Sequence, residues 1–324
     1  MQPFQVLDRG LVFDADRAPP ERQACYFTSL ARLDSGTLLA GWQTGLTKHA
    51  PTNTIRIARS LDQAASWQVI PWDFETTLDG TPGSLSSAEM VEAEPGRLLL
   101  FSTWFDRSDP DRPLFNPETE GILRSRQIFA FSTDEGKSWS PWQVIPTPGL
   151  TGCATTGPAI KWSDGTIAHA FESFKEFDDP QPAVPGAWLV LTSDGGRSFE
   201  APWLIARDPA DQVYYWDQRL FAGDKAGEFL ALFWTHDRAA QKDLTLHQLL
   251  ASLADGSQAA SQPHATGIPG QIASAGITSD GRLLAFIVDR GSPGTMTLWQ
   301  SGDSGSSWPE DASLVVHVHD EQAA

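Results

Sequence analysis

The sequence holds only two cysteines, Cys25 and Cys153, so it has no means of building a disulfide framework. Basic residues are also scarce: 23 Lys and Arg stand against 41 Asp and Glu, for a formal net charge of −18. There is no Lys/Arg run. A nucleic-acid binder needs a basic face to displace counterions, so that class is excluded, and an acidic surface repels anionic lipid as well. No apolar stretch is long enough to span a bilayer. Met1 to Phe13 lack a basic segment followed by an apolar one, the pattern of a secretory leader. The expectation is a cytoplasmic protein, or a secreted one if a leader has been removed, with no nucleic-acid or membrane partner.

Large aromatics are abundant, with 13 Trp and 17 Phe, enough apolar area for an ordered core. A Ser/Thr-x-Asp-x-Gly-x-x-Trp/Phe pattern recurs along the chain. It is complete at Ser132, Asp134, Gly136 and Trp139, and again at Ser301, Asp303, Gly305 and Trp308. Thr192, Asp194, Gly196 and Phe199 match it with permitted variants, and Ser60, Asp62 and Trp67 match with Ala64 in place of Gly. Ser252 and Gly256 mark a decayed copy, with Ala254 and Ala259 at its other two places. An Asp in a tight turn accepts hydrogen bonds from nearby backbone N–H groups, Gly takes the positive φ, and the aromatic covers the turn.

Each copy follows an apolar hairpin whose turn carries a glycine: Gly36, Gly96, Gly165, Gly227 and Gly281. Apolar residues flank each turn as a buried antiparallel pair requires. Every repeat therefore reads as a four-stranded propeller blade. The blades fall at about 25–75, 84–148, 153–207, 213–262 and 270–319 of a single 1–324 domain, with an extra strand over 4–13.

The repeat resembles the Asp-box (BNR repeat) of the sialidase (neuraminidase) superfamily, and the resemblance covers nearly the whole chain. It implies an all-β, sialidase-type β-propeller. Because the chain after the last box is short, the expected form is six-bladed with an abbreviated sixth blade, the alternative being five-bladed. An open blade edge would need covering, so a homo-oligomer is a possible partner state.

The resemblance also implies that ligands bind on the face built from the starts of the first strands and the loops after the second strands. Ten residues before each hairpin glycine stand Tyr26, Ser86, Thr155, Asp217 and Gln271. The second-strand loops carry three Asp-Arg pairs: Asp106–Arg107, Asp237–Arg238 and Asp289–Arg290. Arg offers a planar two-pronged donor for a carboxylate or sulfate, and the competing reading is a local ion pair within each loop. The segment YYWDQRL supplies Asp217 where the family carries a glutamate, with Trp216 as a flat surface for a sugar ring and Arg219 beside it. The plainer alternative is aromatic core with Asp217 tied to Arg219.

His49 lies in the loop where the family places its acid/base Asp, and Glu172 ends a second strand. His236 and His247 lack a matched carboxylate geometry, so no metal and no cofactor is expected. Retaining sialidases use three arginines, a Tyr–Glu pair and an Asp. Here Tyr26 stands at the first arginine position and His49 at the Asp, departures that argue against hydrolysis of sialic acid itself. The expected function is a sialidase-like, exo-acting glycoside hydrolase on an anionic or polyhydroxylated sugar. Its catalytic candidates are Asp217, Glu172, His49 and Tyr26; its substrate-binding candidates are Arg238, Arg290, Arg107, Arg219, Trp216, Gln271, Asp237 and His236. The alternatives are β-elimination by Tyr26 and His49, or a non-catalytic glycan- or protein-binding propeller.

Overall fold

Alternating and continuous apolar runs separated by glycine turns leave the backbone one economical solution, the antiparallel meander. The computed structural model describes residues 4–253 and 262–319, and they form five antiparallel sheets with no α-helix. The first sheet runs Ala24–Arg32, Leu38–Gly45, Thr54–Ser60 and Gln68–Val69 in chain order. The second runs Gly83–Glu94, Arg97–Asp106, Ser125–Ser132 and Gln143–Val144. The third has its first strand broken into Gly152–Ala154 and Ala159–Lys161, both paired with Ile167–Phe174, followed by Gly186–Thr192 and Trp203–Ala206.

The fourth sheet is Val213–Ala222, Glu228–Asp237, His247–Ser252 and His264–Ala265, with Lys242–Asp243 added against Glu228–Asp237. The fifth is Ile272–Ile277, Leu283–Asp289, Gly294–Ser301 and Ser313–His319. These are the five blades read from the sequence. The described residues contain no sixth sheet, so the count is that of the five-bladed form.

The chain divides into two compact units. One comprises the residues up to Arg9, Pro185–Trp188 and the chain from Leu204 onward; the other comprises Gly10–Val184 and Leu189–Trp203. In the second unit, Leu98, Leu100, Ile55, Ile128 and Leu39 form a core sealed from solvent. The run Leu98 to Phe101 is buried on both faces of its strand, which is why it reads as continuously apolar rather than alternating. In the first unit, Leu232, Leu246, Ile268, Ala285 and Ile287 do the same under Trp308.

The four Asp-centred turns share one hydrogen-bond scheme. The Ser or Thr hydroxyl accepts a backbone N–H at 2.9 Å from Ala64, Gly136, Gly196 and Gly305 in turn, and donates to the Asp carboxylate. The carboxylate also takes both the N–H and the hydroxyl of a serine four residues on: Ser66, Ser138, Ser198 and Ser307. That serine is a fixed member of the turn that the sequence pattern had left open. Of the decayed fifth copy, Ser252 ends a strand, while Ala254, Gly256 and Ala259 lie outside the described residues.

The strand expected over 4–13 does not form. The Asp8 carboxylate accepts the N–H of Arg9 at 2.7 Å, drawing a ladder donor into a local bond. The tie from this segment to the last strand is a side-chain one, Arg9 donating to the Val316 carbonyl at 2.6 Å.

Candidate functional site

Three first strands open with a β-bulge whose leading residue holds positive φ: Phe27 at 49°, Ser87 at 66° and Asp217 at 47°. None is glycine, so each is held against its own preference by the surrounding pairing. This register corrects the sequence alignment of the strands. Asp217 stands level with Phe27 and Ser87, and Trp216 stands level with Tyr26 and Ser86. The hairpin loop between Ala222 and Phe229 is one residue longer than that between Arg32 and Leu38, so counting back from the glycine lands one place late.

Around Trp216 the first unit gathers a polar and aromatic group. Cross-strand pairing sets Trp216 opposite Trp234 and Tyr214 opposite His236. The Trp216 ring lies 4.9 Å from Tyr214, 4.9 Å from Trp234 and, nearly parallel, 5.4 Å from the His236 imidazole. Arg290 places its guanidinium 4.4 Å above Trp234, and Arg238 stands 5.4 Å above Tyr214. Gln271 accepts the N–H of Arg290 at 2.8 Å and donates to Asp243 at 3.3 Å. The other Asp243 oxygen meets His236 Nδ1 at 2.7 Å. Trp216, Asp217, Trp234, His236, Arg238, Gln271 and Arg290 are all half-buried, so the group is formed yet open.

The Asp217 side chain makes no hydrogen bond or ion pair with any described residue, and the tie to Arg219 posed by the plainer alternative is absent. Arg219 is buried, and its Nε has no partner among the described residues. Burial pushes the Asp243 carboxyl up, but the His236 and Trp234 side chains, with Gln271, outweigh it and hold the group below its ordinary value. Asp243, Tyr214 and Trp234 were not among the sequence candidates. The signal available was the short polar turn between His236 and Asp243, which sets the two opposite each other.

The second unit holds the remaining candidates. Arg107 is buried and divides its donors among Ser84 Oγ at 2.9 Å, the His49 carbonyl at 3.2 Å and the Arg112 carbonyl at 3.4 Å. It braces two loops to a strand end. The His49 ring stands edge-on to Phe115 at 5.8 Å. Burial, with the charges of Lys48 and Arg107 adding to it, lowers His49 to about 4, so the imidazole is neutral at neutral pH. Lys48 lies 5.9 Å from the Tyr26 ring.

Glu172 is buried and accepts the Thr156 hydroxyl at 2.8 Å. Burial, and then the Glu172 charge, push the Cys153 thiol up to about 12, as suits an inert buried sulfur rather than a nucleophile. Thr155 belongs to a sealed network with Thr103, Gln127 and His169.

Of the three Asp-Arg pairs, Asp106 accepts from Ser108, Asp237 from the N–H of Ala240 and Asp289 from the N–H of Gly291. Each aspartate thus caps its own loop. Neither Asp106 with Arg107 nor Asp289 with Arg290 forms an ion pair. Among the described residues no three His, Cys, Asp or Glu side chains are grouped to hold a metal.

No family model and no curated protein matches the chain. Solved structures do. A Hadza microbial sialidase superimposes with a TM-score of 0.69 at 16% identity over 93% of this chain, which spans 60% of that protein. A Dyadobacter fermentans protein of unknown function gives 0.69 at 16% identity, over 90% of this chain and 83% of that one. The Ruminococcus gnavus intramolecular trans-sialidase, solved with oseltamivir carboxylate, gives 0.63 at 11% identity, over 94% of this chain and 86% of that one. The protein therefore has the all-β fold of a sialidase-type β-propeller. Identities this low carry the fold and no further.

Proposed function

We propose that this propeller is a sialidase-like carbohydrate-active enzyme, an exo-acting glycoside hydrolase for an anionic or polyhydroxylated sugar. The observation that carries the reading is the group around Trp216: an unpaired carboxylate, Asp217, held at a strained bulge beside two half-buried indoles and two arginines. Indole faces suit the apolar side of a sugar ring. The Arg290 guanidinium makes no hydrogen bond to a described residue, which leaves its planar donors for an anionic substituent. Asp217 serves as the group nearest the reacting bond, and strain at such a position is a recurring property of active sites.

A glycan-binding propeller without turnover is the second reading. It is favoured by Arg107 and Glu172, whose polar atoms are taken up by Ser84, His49, Arg112 and Thr156.

The test is a product screen by mass spectrometry on exo-glycosides, sialosides, uronides and sulfated sugars, run beside Asp217→Asn. Sugar released by the parent protein alone supports the hydrolase and the role of Asp217. A product lighter by one water points to elimination, for which His49 is a neutral base. No turnover by folded protein on any compound leaves the binding reading.

A further inference from the structure

Resting on that reading, we propose that His236 and Asp243 are the proton-carrying pair of the Trp216 site, His236 as the catalytic base and Asp243 as its positioning residue. The two sit opposite each other where Lys242–Asp243 pairs with Glu228–Asp237, so backbone hydrogen bonds fix their separation. Asp243 Oδ1 lies 2.7 Å from Nδ1, which selects the tautomer with the proton on Nδ1 and leaves the lone pair on Nε2. Nε2 has no partner among the described residues. The His236 side chain is 18% exposed, open enough for a substrate and enclosed enough to be held.

Two further contacts keep the pair in place. Gln271 bonds the second Asp243 oxygen at 3.3 Å, and Trp216 stacks on the imidazole at 5.4 Å and 23°. The same indole is the proposed sugar platform, so a bound ring and the imidazole share it as a neighbour. A carboxylate that orients a histidine and stabilises its charged form is the arrangement by which an imidazole takes a proton near neutral pH.

Other charges around the ring are Arg290 over Trp234, Arg238 over Tyr214, and the adjacent Asp237 and Lys242, which are paired in the same ladder. The oxygen of a water molecule bonds the anomeric carbon while its proton passes to Nε2. The glycosidic C–O bond breaks with its electron pair going to the leaving oxygen, which solvent protonates, and Nε2 then returns its proton to solvent.

The experiment is nitrogen-15 NMR of the histidine rings, with His236 assigned by its loss in His236→Asn. N-acetylneuraminate and glucuronate are the probes, and the Trp216 indole N–H is followed in parallel. The expected result is a His236 ring with its tautomeric proton on Nδ1, an Nε2 resonance that moves when a probe binds, and loss of the fixed tautomer in a folded Asp243→Asn protein. An Nε2-protonated His236 overturns the pair. So does an Nε2 resonance that stays still while the Trp216 signal moves, although the sugar-site reading then survives. If neither signal moves with either probe, the sugar site falls and the pair falls with it.

Discussion

Ala64 holds φ at +71° where the equivalent turns place Gly136 at +79°, Gly196 at +87° and Gly305 at +87°. An L side chain in this region costs about 1–2 kcal/mol relative to glycine, and the extra freedom of glycine in the unfolded chain returns about half of that. Ala64→Gly is therefore expected to stabilise the protein by about 0.5–1 kcal/mol, read as a higher urea midpoint with an unchanged slope. Asp217 carries the same kind of strain at +47°, but at the proposed site. Asp217→Gly is expected to raise the urea midpoint in the same way while abolishing sugar release in the product screen, a gain in stability matched by a loss of function. A fall in stability on that change would mean that the carboxylate holds the bulge together, and the functional assignment of Asp217 would lose its support.

At the scale of the strand, close backbone approach decides what a position tolerates. A Cβ at Gly41 would meet the Ala88 carbonyl at 2.7 Å, its methyl at 2.8 Å and Ser29 Oγ at 3.0 Å. Ala88 lies in the bulge of the second sheet, so its backbone has little room to yield. Gly41→Ala is expected to cost about 1–3 kcal/mol as overpacking, measurable by urea unfolding, although alanine suits a strand no worse than glycine does. A neutral result would show that the first and second sheets move apart more freely than their packing indicates.

The same scale explains what could be read from the sequence. Hairpin glycines and Asp turns were legible because each is dictated within about ten residues by local hydrogen bonding and φ preference. Bulges were not, because an inserted residue leaves no mark in composition. One added residue in the loop after Ala222 moved Asp217 a place out of line with Tyr26. Trp216 was picked out by its neighbours in YYWDQRL, whereas Trp234 and Asp243 join the proposed site only through ladder register. Arg107 looked like a ligand for anions, and only the fold shows its donors spent on Ser84, His49 and Arg112.

Across the whole molecule, buried ionisable groups set how stability depends on pH. His169 is sealed among Phe101, Thr155 and Gln127, and burial lowers it from 6.5 to about 3; His49 is lowered to about 4, and His247 also lies below its ordinary value. These rings stay neutral in the fold while the unfolded chain protonates them below about 6.5. The unfolded state then binds more protons, so stability falls as pH drops through that window, by about 1.4 kcal/mol per pH unit for each such ring.

The turn carboxylates act in the same direction at lower pH. Hydrogen bonds from Ser301 and Ser307 hold Asp303 at about 2, and Asp62, Asp134 and Asp194 are likewise lowered, so their contribution is lost as pH falls below about 3.8. On the alkaline side the sign reverses. The Cys153 thiol, pushed from 9.0 to about 12, stays protonated in the fold while the unfolded chain ionises, so stability declines above pH 9. The expected profile is a dome whose acid limb begins near pH 6.5 rather than near 4. His169→Gln, which keeps a hydrogen-bonding group toward Thr155 and Gln127, is expected to flatten that limb between pH 4 and 6.5 by about 1.4 kcal/mol per pH unit, as read from urea midpoints across the range. An unchanged acid limb in a folded His169→Gln protein would mean that the ring takes up its proton in the native state, and that the sealed network opens to admit it.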